Sequence, residues 1–459
     1  MAYLRTRKAN LKLNHFPLSK QILYATGTLG WSIMVNLILV MFVYYYVPPT
    51  GKGLHLLITQ RTVLGIFTVL EIIAAGGRLT DAFYDPFIGK MSDSCKSKRG
   101  RRIPFMMWSI VPAVACCILV FFPPYGGGVS NMNAVWLAFF LTLFFMSVTT
   151  YVIPYNSLLP ELAASNEDKI RLSTFQQVGF VLGAVIASLV NNIADLFGWM
   201  LHLSERATCI QYAAITLGLS GGIALLIPVL TIDEKKYCHS VPSSTPLIKA
   251  LKQSLSDKNF IYFIVAVLIY NMALSIITTG MLFFLTVLCH IDASEGSKFM
   301  GFMILLALLF FPIVYYLTKR FGEKKLLVIA FFILGFVFAG IALVGKVPIA
   351  PKVQLYIFLG IAAFPVAVLG ILPNALLARI AAINTDKTGD NREGTYYAVN
   401  YFSVKVGQTL GLASFALLTI FGKDPGHDFG LRLSGIFGCT LCALAGFIFT
   451  GFKDSHKTG

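Results

Sequence analysis

The sequence predicts an all-helical protein that crosses a membrane twelve times, arranged as two halves of six helices. Three observations carry the prediction. The 459-residue chain is 56% hydrophobic and 13% charged, against a charged fraction of roughly 25% in ordinary globular domains. Its apolar residues gather into twelve runs, each long enough to cross a bilayer, and its basic residues crowd into alternate connections between those runs. A spanning helix takes about 20 apolar residues, so twelve of them leave no room for a large soluble domain. Helices are expected rather than strands, because turn signals are too sparse for a strand barrel and lipid offers backbone groups no other partner.

The elements follow in order. The start, Met1 to Lys20, is basic and polar, and the first apolar run is too long for the core of a cleavable signal, so it reads as a retained span. Runs and breakers place spans near 22–47, 60–89, 104–123, 135–158, 173–195 and 209–232, a polar stretch over 233–259, and further spans near 260–288, 299–318, 326–345, 353–381, 394–421 and 430–452. This gives an N-terminal bundle over 1–232, a linker over 233–259 and a C-terminal bundle over 260–459. The connection GKMSDSCKSKRGRR after the second span has a shorter echo, TKRFGEKK, after the eighth. Paired halves that rock about a central site are the geometry of a secondary transporter.

Charge placement sets the orientation. The ends and alternate connections hold most Lys and Arg, among them Arg5, Lys20, Lys96, Arg102, Lys169, Lys235, Lys319, Arg379 and Lys453, while the loop Pro123 to Ala134 has no charge. The positive-inside rule puts the basic set and both termini in the cytoplasm. A net charge of +16 is thereby a property of topology, and no nucleic-acid partner is expected. Cys116, Cys117, Cys209, Cys289, Cys439 and Cys442 sit in or beside apolar runs, where thiols act as small hydrophobes. Neither a disulfide framework nor a redox role for the Cys439–Cys442 pair is expected.

The second span breaks the pattern. It carries Glu71, Arg78, Asp81 and Asp85, which at about 100° per residue fall within an arc of roughly 80° on one helix face. A charge near the bilayer centre costs about 2.5 to 3.5 kcal/mol on insertion scales. Asp81 and Asp85, one turn apart, can share a proton or offer oxygens to Na⁺, so the face points to cation coupling. Arg78 pairs with this face, and Lys405 in the eleventh span could reach it in place of the cation. The bland alternative is an inert buried salt-bridge network. Glu71 lies about 15 Å of helix rise from Asp81, outside the same site. Gly76 and Gly77 permit a bend, and Pro86 releases the carbonyl of Ala82 beside the aspartates. No G-x-x-x-x-G-K-[ST] phosphate loop is present, so coupling without ATP, and no enzyme chemistry, is expected.

The stretch Gly77-Arg78-Leu79-Thr80-Asp81-Ala82-Phe83-Tyr84-Asp85-Pro86, followed by Gly89 and Ser97 to Arg102, resembles the signature of the glycoside-pentoside-hexuronide:cation symporters of the major facilitator superfamily. The resemblance continues through Ile153 to Pro160 and through Arg392-Glu393-Gly394 to Lys405. It implies a major facilitator fold. It also implies a cation site of Asp81 and Asp85, with Thr149 as a nearby hydroxyl and with Arg78 and Lys405 as the family's basic partners. Tyr84 stands where Na⁺ users of the family often have asparagine, which tilts the coupling ion from Na⁺ toward H⁺. Acidic residues that hold galactosides in this family would fall near Ser32 and Val152, and an arginine near Gln177, and none is present.

Substrate recognition must then use other groups. The candidates are Trp31, Asn36, Tyr155, Asn156, Gln176 and Gln177 in the first half, with Asn271, Asn374 and Gln408 in the second. Together they offer neutral hydrogen-bonding groups and flat rings of the kind a sugar needs. For each, ordinary bonding between helices is the competing reading. The basic loop Lys96 to Arg102 reads as an anchor to anionic lipid. The family resemblance adds a gating role for Asp93 with Arg99, Arg101 and Arg102. The expectation is a monomeric, multi-pass transporter of the cytoplasmic membrane that couples a sugar or glycoside to H⁺ or Na⁺ and has no cofactor. The rivals are an uncoupled facilitator, a lipid or lysolipid transporter of the same fold, and a nontransporting sensor.

Overall fold

The computed structural model describes residues 16–48, 54–59, 62–63, 67–163, 165–238, 245–291, 296–422 and 426–453. The basic N-terminal segment 1–15 lies outside them. Two compact units emerge: Met1–Thr245 with Ala381–Gly394, and Pro246–Ile380 with Thr395–Gly459.

Unit 1 contains α1 (Leu18–Tyr46), a two-stranded antiparallel pair β1 (Thr62–Val63) and β2 (Phe67–Thr68), α2 (Val69–Ser94), α3 (Ile103–Leu119), α4 (Asn131–Ser157), the single turn α5 (Leu159–Leu162), α6 (Asn166–Ser188), α7 (Val190–Met200), α8 (Arg206–Thr231) and α9 (Glu234–Tyr237). Side chains mark the starts of its helices. Ser130 accepts the Met132 N–H at the head of α4, and Ser165 with Asp168 forms a reciprocal capping box on α6. The second span was expected from residue 60, but the strand pair precedes it and helix begins at Val69. The fifth was expected to run unbroken to 195, whereas helix breaks at Leu189 between α6 and α7.

The other elements are α10 (Leu247–Ser254), α11 (Lys258–Phe283, running into a π-turn over Phe284–Leu288), α12 (Gly296–Phe321), α13 (Glu323–Leu343), α14 (Pro351–Thr388), α15 (Glu393–Thr419) and α16 (Phe429–Thr450). The end of α14 and the first two residues of α15 belong to unit 1. Nine helices among the described residues are long and apolar enough to cross a membrane, and α3 is a shorter apolar one. The polar stretch 233–259 holds α9, α10 and the start of α11, capped by Asp233 and Asp257.

One packing device recurs in both units. A Cβ on Gly179 would meet the Ala25 carbonyl oxygen at 2.7 Å, and one on Gly183 would meet the Leu29 carbonyl at 2.7 Å, so α6 lies directly on α1. In unit 2, Cβ atoms on Gly407 and Gly411 would collide with the carbonyls of Leu268 and Met272 on α11. Small residues four apart let helix backbones approach where there is no hydrophobic drive between helices in lipid. A serine completes each contact. Ser32 Oγ donates to the Phe180 carbonyl at 2.6 Å, and Ser275 Oγ donates to the Gln408 carbonyl at 2.8 Å. In each case the acceptor is the residue just after the first glycine of the pair.

Gly183→Val is expected to destabilise the protein by about 1–3 kcal/mol through overpacking, read as a lower thermal unfolding midpoint of the detergent-solubilised chain. Gly76→Ala, whose Cβ meets nothing within 4 Å, leaves the midpoint unlowered.

Candidate functional site

Two of the four residues expected on the polar face of α2 have described side chains, Asp81 and Asp85. Asp81 is 4% exposed and Asp85 0%, one helical turn apart and therefore on one side of the helix. Thr149 on α4 donates its hydroxyl to Asp81 Oδ1 at 2.6 Å. Thr150 turns to the Tyr84 hydroxyl at 3.3 Å and to its own helix through the Met146 carbonyl. The side chains of Arg78 and Glu71 lie outside the described residues. Lys405 is half-buried on α15, in unit 2.

The substrate candidates divide into two groups. Most place polar atoms on their own protein. The Tyr155 hydroxyl donates to the Tyr24 carbonyl at 2.6 Å, and the Tyr24 hydroxyl returns a bond to the Tyr155 carbonyl at 2.7 Å, with the two rings stacked at 4.4 Å. Asn36 donates to the Ser32 carbonyl, and Asn271 to that of Val267. Asn156 donates to the Val152 carbonyl and accepts from Gln176 Nε2 at 2.9 Å. These bonds run within helices or between them. Two atoms differ. The Trp31 indole nitrogen and Gln176 Oε1 are buried without a hydrogen-bond partner among the described residues. Trp31 packs on Phe180, one turn beyond Gln176 on α6, with ring centroids 5.2 Å apart. Gln177, Asn374 and Gln408 are half-buried.

A second polar assembly lies within unit 1, between the loop before α3, the end of α4 and the connection from α14 to α15. Arg102 is its centre and is fully buried. It lies 3.3 Å from Asp93, 2.9 Å from Glu161 and 2.9 Å from Glu393. Arg101 adds a 2.8 Å pair with Glu161. Burial acts to lower the pKa of Arg102, yet Glu161, Asp93, Glu393 and Glu234 raise it above the ordinary guanidinium value, so it is cationic at any physiological pH. Asp93 Oδ1 also accepts the Gly394 N–H at 2.9 Å, and a Cβ on Gly394 would meet the Gly89 carbonyl at 2.6 Å. Glycine is required there for the two backbones to touch.

The structure thus brings Asp93, Arg101 and Arg102 together. Arg99 stands apart, exposed, with its guanidinium toward the Met107 sulfur. Sequence reasoning missed Glu161 and Glu234 altogether and named Glu393 only as part of a motif. Glu161 follows directly on Ile153 to Pro160, the one signal that could have drawn attention to it.

A family model described as MFS/sugar transport protein matches residues 23–429. The chain belongs to this family. It is 23% identical to the isoprimeverose transporter of Lactiplantibacillus pentosus, over 89% of this chain and 81% of that one. It is also 24% identical to sodium-dependent lysophosphatidylcholine symporter 1 of Xenopus tropicalis, over 55% of this chain and 54% of that one. Among solved structures it resembles FucP of E. coli, a major facilitator transporter captured in the outward conformation, with a TM-score of 0.65 at 11% identity and coverage of 96% and 100%. At that identity the likeness establishes the fold. The chain is a multi-pass membrane protein of the major facilitator fold, and its relatives place it with the glycoside-pentoside-hexuronide:cation symporters that its α2 motif resembles.

Arg102→Ala leaves three carboxylates around a vacated cationic position and is expected to cost about 3–5 kcal/mol. Arg99→Ala should change stability by less than about 0.5 kcal/mol. Thermal unfolding of the two purified variants checks the difference.

Proposed function

We propose that the chain imports a sugar or glycoside against its gradient by coupling it to H⁺ or Na⁺ entry across the cytoplasmic membrane, with both termini inside. The observation that carries this reading is the buried Asp81–Asp85 pair with Thr149 bonded to Asp81. Two carboxylates a turn apart in a low-dielectric span can share one proton or supply oxygens to a cation. Occupancy lowers the cost of moving that face between environments. One charge driven by 100 mV yields about 2.3 kcal/mol, which corresponds to roughly fortyfold accumulation at 1.4 kcal/mol per tenfold. Tyr84 in place of an asparagine ligand favours H⁺. Arg78 and Lys405 serve as the basic partners that hold the empty site.

Trp31 Nε1 and Gln176 Oε1 supply the substrate contacts, one donor and one acceptor, which a sugar hydroxyl satisfies at once. Gln177, Asn374 and Gln408 add further bonds. The Arg102 assembly acts as a cytoplasmic latch: Asp93 and Arg102 hold the 381–394 segment, and releasing that segment belongs to the inward step. The lipid reading rests on the lysophosphatidylcholine symporter among the relatives and predicts an amphipathic substrate instead.

The test uses purified protein in vesicles, with a saccharide panel and lysophosphatidylcholine as substrates and with lumenal pH or sodium recorded. Saccharide uptake with cation in fixed ratio, abolished by Asp81→Asn, supports the reading. Saccharide uptake with no cation movement makes the protein a facilitator, and lysophosphatidylcholine uptake without any saccharide makes it a lipid carrier. Thr149→Val removes a hydrogen bond to a charged group, a contribution of about 1.5–3 kcal/mol. It should weaken cation activation of uptake by roughly ten- to hundredfold while leaving the preferred saccharide unchanged.

A further inference from the structure

A hollow of about 430 Å³ opens between two segments distant in the chain, the connection from Cys95 to Arg101 and the turn from Glu234 to Cys238. Its lining contains four cationic side chains, Lys96, Lys98, Arg101 and Lys235, and one carboxylate, Glu234.

That carboxylate is already saturated. Glu234 is buried, and its oxygens accept the backbone N–H groups of Arg101, Arg102 and Ile103 at 2.7 to 3.2 Å. It therefore occupies the positive end of α3 as a tethered anion. Gly100, at φ +108°, makes room for it, since any Cβ there would collide with Glu234 Oε2. The floor of the hollow is thus fixed, and its rim is cationic. Lys96, Lys98 and Lys235 are exposed and form no ion pair among the described residues. Membrane orientation accounts for how many basic residues this loop holds. It does not account for their convergence with Lys235 on one concave surface.

We propose that this hollow binds a phosphate ester, carried either by a soluble metabolite or by the headgroup of an anionic phospholipid. Arg101 is already paired with Glu161, but three exposed lysines beside a saturated carboxylate call for a ligand with more than one negative charge, and a concave, partly desolvated wall strengthens the attraction. Lysine ammonium groups suit a phosphate as mobile point charges. The volume exceeds that of bare phosphate and lies in the range of small-molecule pockets, about 300–1,000 Å³, so an organic portion is accommodated too. The site is separate from the cation and sugar contacts proposed above and does not depend on them.

Cys95 provides a reporter in the wall. It is half-buried, and its thiol pKa is raised by burial and by Glu234, with Arg101 opposing. A bound anion both covers the thiol and adds to the negative field, and each effect slows alkylation, which proceeds through the thiolate.

The experiment follows N-ethylmaleimide modification of the Cys95 peptide by mass spectrometry, with the full chain in phosphatidylcholine vesicles. Pyrophosphate is loaded on both faces and compared with chloride at equal ionic strength; a parallel arm replaces it with phosphatidylglycerol in the bilayer. Modification slowed several-fold by pyrophosphate identifies a soluble phosphate ester as the ligand class, and slowing by phosphatidylglycerol alone identifies the headgroup. In either case Lys96→Gln with Lys98→Gln and Lys235→Gln abolishes the effect, and Lys235→Gln alone weakens it. No slowing in either arm, slowing matched by chloride, or slowing that persists in the triple variant overturns the proposal.

Discussion

A buried guanidinium surrounded by carboxylates organises one end of unit 1. Arg102 has no access to water, and moving an isolated charge to such a place costs several kcal/mol even after relaxation. Asp93, Glu161 and Glu393 offset that cost only because they arrive together, from α2, the turn after α4 and the first residue of α15. The assembly holds more acids than bases, and the surplus has a structural answer. Glu234 takes backbone N–H groups at the head of α3, so the helix terminus serves as a further positive partner. A buried network of this kind gains little stability over a well-packed apolar core, and its attested uses are in fixing registry and in switching. Here the registry is that of the 381–394 segment on unit 1.

The two halves share geometry more than chemistry. Gly179 and Gly183 press α6 on α1 as Gly407 and Gly411 press α15 on α11, and Ser32 and Ser275 bond equivalent carbonyls. At the heads of the third helix of each half the ion pair recurs with its signs exchanged. Arg102 precedes α3 and meets Glu161 beyond α4, whereas Glu323 opens α13 and meets Arg379 near the end of α14 at 3.0 Å. What the duplication retains is the position where a buried charge can be neutralised by the neighbouring helix, not which partner supplies which sign.

This explains which features could be read from the sequence. Apolar runs and basic connections are local, so the helical fold class followed directly from them. Asp81 and Asp85 were legible because helical periodicity alone puts them on one face, and Thr149 was named through the family motif before the structure placed its hydroxyl on Asp81. Glu234 was not legible. Its partners lie more than a hundred residues away, and it sits in a polar stretch that any solvated connector would resemble. The engagement of Tyr155, Asn36 and Asn271 was not legible for a related reason. A sequence shows that a polar atom exists, but whether a nearby carbonyl has already taken it depends on packing, as the Tyr24–Tyr155 exchange illustrates. The glycine pairs were visible as four-residue spacings, yet many glycines share such spacings, and only the facing carbonyls distinguish these.

Residues of the proposed latch share their helices with residues of the proposed transport site. α2 carries Asp81 and Asp85 and, two turns further on, Asp93; α15 begins with Glu393 and Gly394 and carries Lys405 and Gln408 three to four turns later. At 1.5 Å per residue, Asp85 lies about 12 Å of helix from Asp93, and Glu393 about 18 Å from Lys405. Both stretches are helical throughout, although Pro86 removes one backbone hydrogen bond of α2 beside the aspartates. The Asp93–Gly394 bond tolerates little displacement, since the glycine contact with the Gly89 carbonyl leaves no slack. In the proposed cycle, neutralising the aspartates changes what α2 prefers to face, and a turn of α2 would bear on Asp93. On the proposed mechanism, a cation that binds one arrangement of α2 better than another shifts the proposed latch by that difference in affinity and no more.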